Sequence, residues 1–507
     1  MVSLMYRRLS AAGPPAARLA RRRAPDCLLA LGLALLSLLG HLPFRTQMLY
    51  AWDSVLYVRA LDAFDVGVHQ PQPPGYLFYV LTARLIRDLT GLPPNDAYIW
   101  VSQLAAAGTV AALYLTGRAL FNRPVGLLAA LLAATSVAFS VYSGVAYPYT
   151  VLALGSALLG WLGWRVRHTQ APAWTLGLAL GLLSGFRQDL LLFLGPLALV
   201  SVGLRSFGRL AGATLAGALG LLAWFLPSAL LSGGVPAYLV ALTAQAARIE
   251  RDTSTTAHGL TGLLANARSL LRYSLNTLYL AGLPLALWLA AALGTPAGRR
   301  DARFRHLALW AGPAVLFYLF IHIGDIGYVF SFMPPVWLAA AAGLDLAARW
   351  LGARLPDAAR RSPAVLLAAL AAIPLAFNLW WFLFSQQPLS AAWLRCRDQQ
   401  LADAVAQVRA RYTPAATALI TSGHYQQTRF YLPDYPIWFH DPFKTPVLRQ
   451  AVPPGITHVV VFDWLLDAAP HPRRQVVPLS CGYALGVYAV APGEIVVVHP
   501  PLVELTP

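Results

Sequence analysis

The chain has 507 residues, of which 58% are hydrophobic and 12% charged, about half the charged share of an ordinary soluble domain. That balance excludes a disordered chain and a purely soluble enzyme. A mean hydropathy of +0.57 arises from long Leu/Ala/Gly/Val blocks separated by short arginine clusters, the pattern of a polytopic membrane protein. The net charge of +17 does not point to nucleic acid. Lysine occurs once, at Lys444, and the arginines fill the gaps between apolar blocks with no aromatic-interleaved basic groove. Topology and anionic membrane lipids account for them.

In chain order, residues 1–26 read as a basic cytoplasmic N-terminus, with Arg7, Arg8, Arg18 and Arg21 to Arg23 ahead of the first apolar block, Leu28 to Leu39. An uncleaved anchor is preferred over a signal peptide, because Gly40-His41-Leu42-Pro43 is no small-x-small cleavage site. Further spans are expected near 98–117, 125–142, 150–164, 172–185, 189–204, 210–231, 276–293, 307–323, 329–346 and 363–384. The expected fold is therefore mainly α: a transmembrane helix bundle of about 11 spans over 27–385, with a long first outer loop at 43–97. Alternating the spans from a cytoplasmic start puts 20 arginines inside and 9 in outer loops before residue 385, with four acids inside and nine outside. This is the positive-inside bias. Gly75 to Leu89 is apolar but short and carries Arg84 and Arg87, so an interfacial helix fits better than a crossing.

Residues 390–507 read as a small extracytoplasmic α/β domain. Leu401, Ala404, Val405 and Val408 have helical spacing, and strand-like runs follow at 417–421, 437–439, 457–462, 484–490 and 494–498. Cys396 and Cys481 both fall in this domain and are either free or joined; sequence separation does not decide. No cysteine cluster has zinc-site spacing, so no metal site is assigned.

Most of the unusual polar residues fall on the outer side. In the first loop, Asp53 lies between Trp52 and Ser54 and is either a sheltered base or a loop carboxylate capping the next helix. His69 opens a proline-rich stretch ending at Gly75-Tyr76; it is either a phosphate contact or a plain loop residue. Arg187 stands on the outer side of a tight two-span turn, where a guanidinium suits a phosphate or pairs with Asp189. His322, Asp325 and Tyr328 share a glycine-containing turn and are binding candidates. Tyr142, Tyr147 and Tyr149 suit an interfacial aromatic belt, with Tyr147 also a possible substrate contact. The loop 232–275 has the polar composition of a lid or a connector.

This layout resembles the GT-C superfamily of polytopic glycosyltransferases, in particular the protein O-mannosyltransferase and aminoarabinose transferase branch. The residues that carry the resemblance are Asp53, the stretch His69 to Tyr76, and Gly185-x-Arg187-x-Asp189. Gly327-Tyr328 followed by Pro334-Pro335, and the outer C-terminal domain, complete it. The resemblance implies transfer of a hexose or pentose from a polyprenyl-phosphate donor to a glycan, lipid or protein acceptor on the outer face of the membrane. It implies Asp53 as the base toward the acceptor, Arg187 with His69 or His322 at the donor phosphate, and Asp189, Asp325, Tyr328 and Tyr147 as substrate contacts. Two departures bear on cofactors: Ser54 stands where many relatives have a second acid, and the turn Tyr142 to Tyr149 carries none. A divalent metal is therefore left open. The resemblance places the chain in a bacterial inner membrane. A transporter or flippase, or a non-catalytic scaffold, are the competing readings; charges gathered at one face beside a long loop favour the enzyme.

Overall fold

The computed structural model describes residues 23–169, 171–354, 363–442, 444–463, 466–467 and 469–506. Arg7, Arg8, Arg18, Arg21 and Arg22 of the N-terminal cluster, and Asp357, Arg360 and Arg361, lie outside the described residues. The chain divides into two compact units: Met1–Arg45 with Ala60–Ala391, and Thr46–Arg59 with Ala392–Pro507.

The first unit is a helix bundle. Every expected span falls on a helix, including Arg23–His41, Pro94–Leu120, Tyr149–His168, Ala302–Phe320, Met333–Gly352 and Pro363–Phe384. Among the described residues five helices are long and apolar enough to cross a membrane. A sixth candidate is the pair Arg123–Thr135 and Val137–Ser143, bent by 63°. At the bend, Ser136 Oγ donates to the Thr277 carbonyl at 2.9 Å, so a backbone acceptor from another helix satisfies the hydroxyl. His41 Nε2 lies 2.9 Å from the Ala134 carbonyl and 3.2 Å from Ser140 Oγ, tying the first helix to both arms of the bent pair.

Asp26 shows why arginines gather at one end of the bundle. Its carboxylate is buried and meets Arg118 at 2.7 Å, Arg123 at 2.8 Å and the Tyr114 hydroxyl at 2.8 Å. The cluster therefore holds three helices together as well as biasing topology. Helices Ala173–Leu183 and Phe207–Leu231 cross closely enough that a side chain at Gly177 or Gly181 would strike the opposite backbone at Ala213 or Gly217. Small residues at a crossing let backbones touch where lipid offers no hydrophobic drive for association.

The short segment at 75–89 is a helix, Leu77–Thr90, that buries Leu77, Tyr79, Val80 and Ala83 and exposes Leu81, Leu85 and Leu89. Arg84 Nη2 donates to the Ala60 carbonyl at 3.2 Å, and Arg87, in the last turn, pairs with Asp62 at 2.7 Å. The segment 232–275, expected as a polar lid or connector, is largely helical: Val235–Thr253 and Thr255–Leu278. Leu260, Leu264, Leu271 and Leu275 form an exposed stripe at helical spacing, which the polar composition of residues 245–258 obscured.

The second unit is an α/β module. β1 (Thr417–Thr421), β2 (Ile437–Phe439), β4 (His458–Val461), β5 (Arg474–Pro478) and β6 (Ala484–Ala489) form one sheet in the order β2-β1-β4-β6-β5. β1 runs parallel to β2 and β4, and the remaining pairs are antiparallel. β3 (Leu448–Ala451), β7 (Ile495–His499) and β8 (Leu502–Thr506) form a second, antiparallel sheet. Alternation along β1 and β4 sends Leu419 and Val460 to a core with Leu401, Ala404, Val405 and Val408 of helix Ala391–Arg411. The opposite faces, at Ile420 and Val461, pack with Val496 and Val498 of the second sheet. Cys396 and Cys481 are joined by a disulfide. Residues 46–59 belong to this module and not to the rest of the first outer loop. Asp398 accepts the backbone N–H groups of Gln47 at 2.8 Å and Met48 at 2.7 Å, and the Tyr431 hydroxyl accepts that of Leu49 at 2.9 Å.

Candidate functional site

In the bundle, four segments far apart in sequence converge on Arg187. The turn that carries it is pinned from beneath: Trp224 Nε1 donates to the Gly181 carbonyl and to Ser184 Oγ, both at 3.0 Å. The Phe78 N–H donates to the Gly185 carbonyl at 3.0 Å. The Arg187 side chain is 5% exposed and pairs with Asp189, Nη2 to Oδ2 at 2.6 Å and Nε to Oδ1 at 3.3 Å. Nη1 makes no hydrogen bond among the described residues. The guanidinium carbon lies 5.2 Å from the ring centroid of Tyr76, 5.1 Å from Tyr149 and 5.6 Å from Tyr328. A buried cation is costly in a bundle, and one carboxylate with three π faces offsets that cost while leaving a donor for a further oxygen.

Each tyrosine is set by its own element. Tyr76 sits in the left-handed region at φ 49°, just before helix Leu77–Thr90. Tyr149 opens helix Tyr149–His168, with the ring of Tyr147 at 4.7 Å and that of Tyr142 at 5.3 Å. Tyr328 lies in the 3-10 turn Ile326–Ser331, whose cap Asp325 accepts the Gly327 N–H at 2.8 Å and the Tyr142 hydroxyl. Gly327 is required there, because a Cβ would overlap the Tyr149 ring. His322 stands 5.7 Å from Tyr328, ring to ring.

The structure thus brings together Arg187, Asp189, Tyr147, His322, Asp325 and Tyr328. His69 is placed elsewhere, exposed at the end of the turn Val66–Val68 with φ 58°. Tyr76, at the other end of the proline-rich stretch, reaches Arg187 in its stead. Sequence reasoning did not single out Tyr76 or Tyr149 as site residues; only their aromatic character at outer boundaries pointed to them.

Asp53 belongs to the other unit. It is the second residue of helix Trp52–Ala60 and half-buried, while the end of that helix is capped by Ser54, whose Oγ accepts the Ala51 N–H at 3.3 Å. Trp52 beside it packs on Tyr425 at 5.6 Å and Phe439 at 6.0 Å, which fixes the start of the helix against the module. A carboxylate in the first turn of a helix interacts favourably with the helix dipole. Among the described residues no group of three or more His, Cys, Asp or Glu side chains is close enough to hold a metal ion.

Residues 72–231 match the family model described as dolichyl-phosphate-mannose-protein mannosyltransferase, a stretch that contains Tyr76, Tyr149, Arg187 and Asp189. No curated protein matches the chain. Among solved structures, ArnT from Cupriavidus metallidurans bound to undecaprenyl phosphate is 15% identical with a TM-score of 0.56, the match covering 93% of this chain and 99% of that one. The apo state of the same protein is 13% identical with a TM-score of 0.51, over 91% and 97% of the two chains. The fold is therefore that of ArnT along nearly the whole chain.

Proposed function

We propose that this chain, a GT-C superfamily membrane protein by its fold and its family match, is a glycosyltransferase that moves a sugar from a polyprenyl-phosphate carrier to an acceptor outside the cytoplasm. The observation that carries the reading is the Arg187 cluster: a buried guanidinium enclosed by three tyrosine rings and holding one N–H group in reserve. Undecaprenyl phosphate in the ArnT structure is a ligand of the same chemical class.

In this reading an acceptor oxygen attacks the anomeric carbon while the bond from that carbon to the phosphate oxygen breaks. Negative charge grows on the departing lipid phosphate, and Arg187 stabilises it by charge-assisted hydrogen bonding. His322 supports as a further hydrogen-bonding group. Asp53 takes or orients the acceptor proton, the role its resemblance gives it. Exposed leucines along helix Phe207–Leu231, among them Leu215, Leu219, Leu222, Leu226 and Leu230, offer the carrier's tail an apolar face open to the bilayer. The positive-inside bias and the Cys396–Cys481 disulfide support a cytoplasmic N-terminus and an extracytoplasmic C-terminal module, as in a bacterial inner membrane.

The test is transfer of radiolabelled sugar from a panel of hexosyl and pentosyl polyprenyl phosphates in membranes with matched expression of wild type, Asp53→Asn and Arg187→Gln. Transfer by the wild type and loss in both variants supports the reading, and the donor used distinguishes hexose from pentose. Equal transfer by Asp53→Asn moves the base elsewhere. No transfer from any donor refutes the reading.

A further inference from the structure

Within the C-terminal module, a pair of arginines faces an open cavity of about 400 Å³. Arg59, in the last turn of helix Trp52–Ala60, and Arg429, in the last turn of the short helix Tyr425–Tyr431, line it together with Tyr425, Tyr435, Pro433 and Ile437. Arg59 donates to Gln426 Oε1 at 3.2 Å, and the Arg429 guanidinium lies 5.5 Å from the Tyr425 ring centroid. Neither arginine makes an ion pair with a carboxylate among the described residues. Two guanidinium groups facing one cavity without an acid repel each other, and the repulsion together with burial pulls the Arg59 pKa down, burial being the larger cause.

The walls are fixed independently of any ligand. Tyr425 is held between Trp52 at 5.6 Å and Phe439 at 4.8 Å, and the Tyr435 hydroxyl donates to the Tyr412 carbonyl at 2.7 Å. A rigid aromatic and proline surface beside two donors suits a ring carrying an oxyanion: the sugar face packs on the wall and the forked guanidinium groups take the oxygens.

We propose that this cavity binds a phosphate or carboxylate carried on a sugar-sized group. Such a ligand offsets the repulsion between Arg59 and Arg429. Its use as an anchor for the acceptor rests on the glycosyltransferase reading; binding at the cavity does not.

The experiment measures binding to the full chain in phosphatidylcholine nanodiscs by saturation-transfer NMR and calorimetry. The probes are glucose 1-phosphate, glucuronate, inorganic phosphate and glucose. The expected result is binding of the two anionic sugars, weakened by salt, with a loss of about tenfold in Arg59→Gln and again in Arg429→Gln, and only partial recovery in Arg59→Lys, which restores the charge without the fork. Arg429 is exposed at a helix end, so its variant folds even where Arg59→Gln does not. Equal binding of glucose, or unchanged affinity in Arg429→Gln, overturns the proposal. Nanodiscs containing phosphatidylglycerol distinguish the source. Competition by the lipid assigns the site to a membrane-borne oxyanion, and its absence to a soluble or sugar-borne one; both keep the proposal. Because no transfer is measured, a failed glycosyltransferase reading leaves this result standing.

Discussion

Replacing Arg187 separates its two roles. Arg187→Gln leaves Asp189 without its partner in a partly buried position, so the variant loses both stability and transfer. Arg187→Gln combined with Asp189→Asn removes the stranded charge; thermal unfolding in detergent is expected to recover while transfer stays down by about 10²-fold or more. Recovery of transfer in the double variant would show that the pair is structural only. Arg187→Lys keeps the charge but loses the planar fork and the fit to three rings, and is expected to transfer no better than Arg187→Gln. A titration gives an independent check in the outer module. The Ala491 N–H and then Arg473, at 2.6 Å, hold the Glu494 carboxyl below its ordinary value of 4.5. The folded pKa lies below the unfolded one, so the stabilisation is present above pH 4.5 and disappears as pH falls through the folded value. Arg473 is half exposed, so Glu494→Gln is expected to lower stability at pH 7 by less than about 1 kcal/mol, and its difference from wild type shrinks as pH falls below 4.5.

Among elements, the turn Ile326–Ser331 positions Tyr328 and Tyr149 together, and Gly327 is the residue that permits it. Gly327→Ala forces the Tyr149 ring away, at a cost of about 1–3 kcal/mol in overpacking. The expected kinetic signature is a raised KM for the lipid donor, measured in the same transfer assay; an unchanged KM would mean that Tyr149 does not shape the donor site. The elements were unevenly legible. Long apolar blocks gave most of the bundle helices, and strand-like runs gave β1, β2, β4, β6 and β7, because those patterns are local. β3, β5 and β8 were missed: they carry polar or charged residues such as Arg449, Gln475 and Glu504 and take their structure from sheet partners. Helices Val235–Thr253 and Thr255–Leu278 were hidden by polar composition at their junction.

For the whole molecule, the Cys396–Cys481 disulfide joins residues 85 apart in sequence within the C-terminal module. Cys396→Ser is expected to destabilise that module by about 2–5 kcal/mol, read as a lower unfolding midpoint of the purified chain. Thiol labelling should modify exposed Cys27 before reduction and all three cysteines after it. The sequence by itself determined that the chain is a membrane bundle with a small C-terminal α/β module, and that its arginines gather between the apolar blocks. Hydropathy, periodicity and arginine position are properties of short segments and survive without a partner. Only the tertiary structure decided that residues 46–59 join the C-terminal module, that Tyr76 and not His69 reaches Arg187, and that Tyr142 meets Asp325. Such contacts depend on which helix faces pack together. Packing is set by small-residue crossings and buried pairs spread over hundreds of residues, which no local window contains.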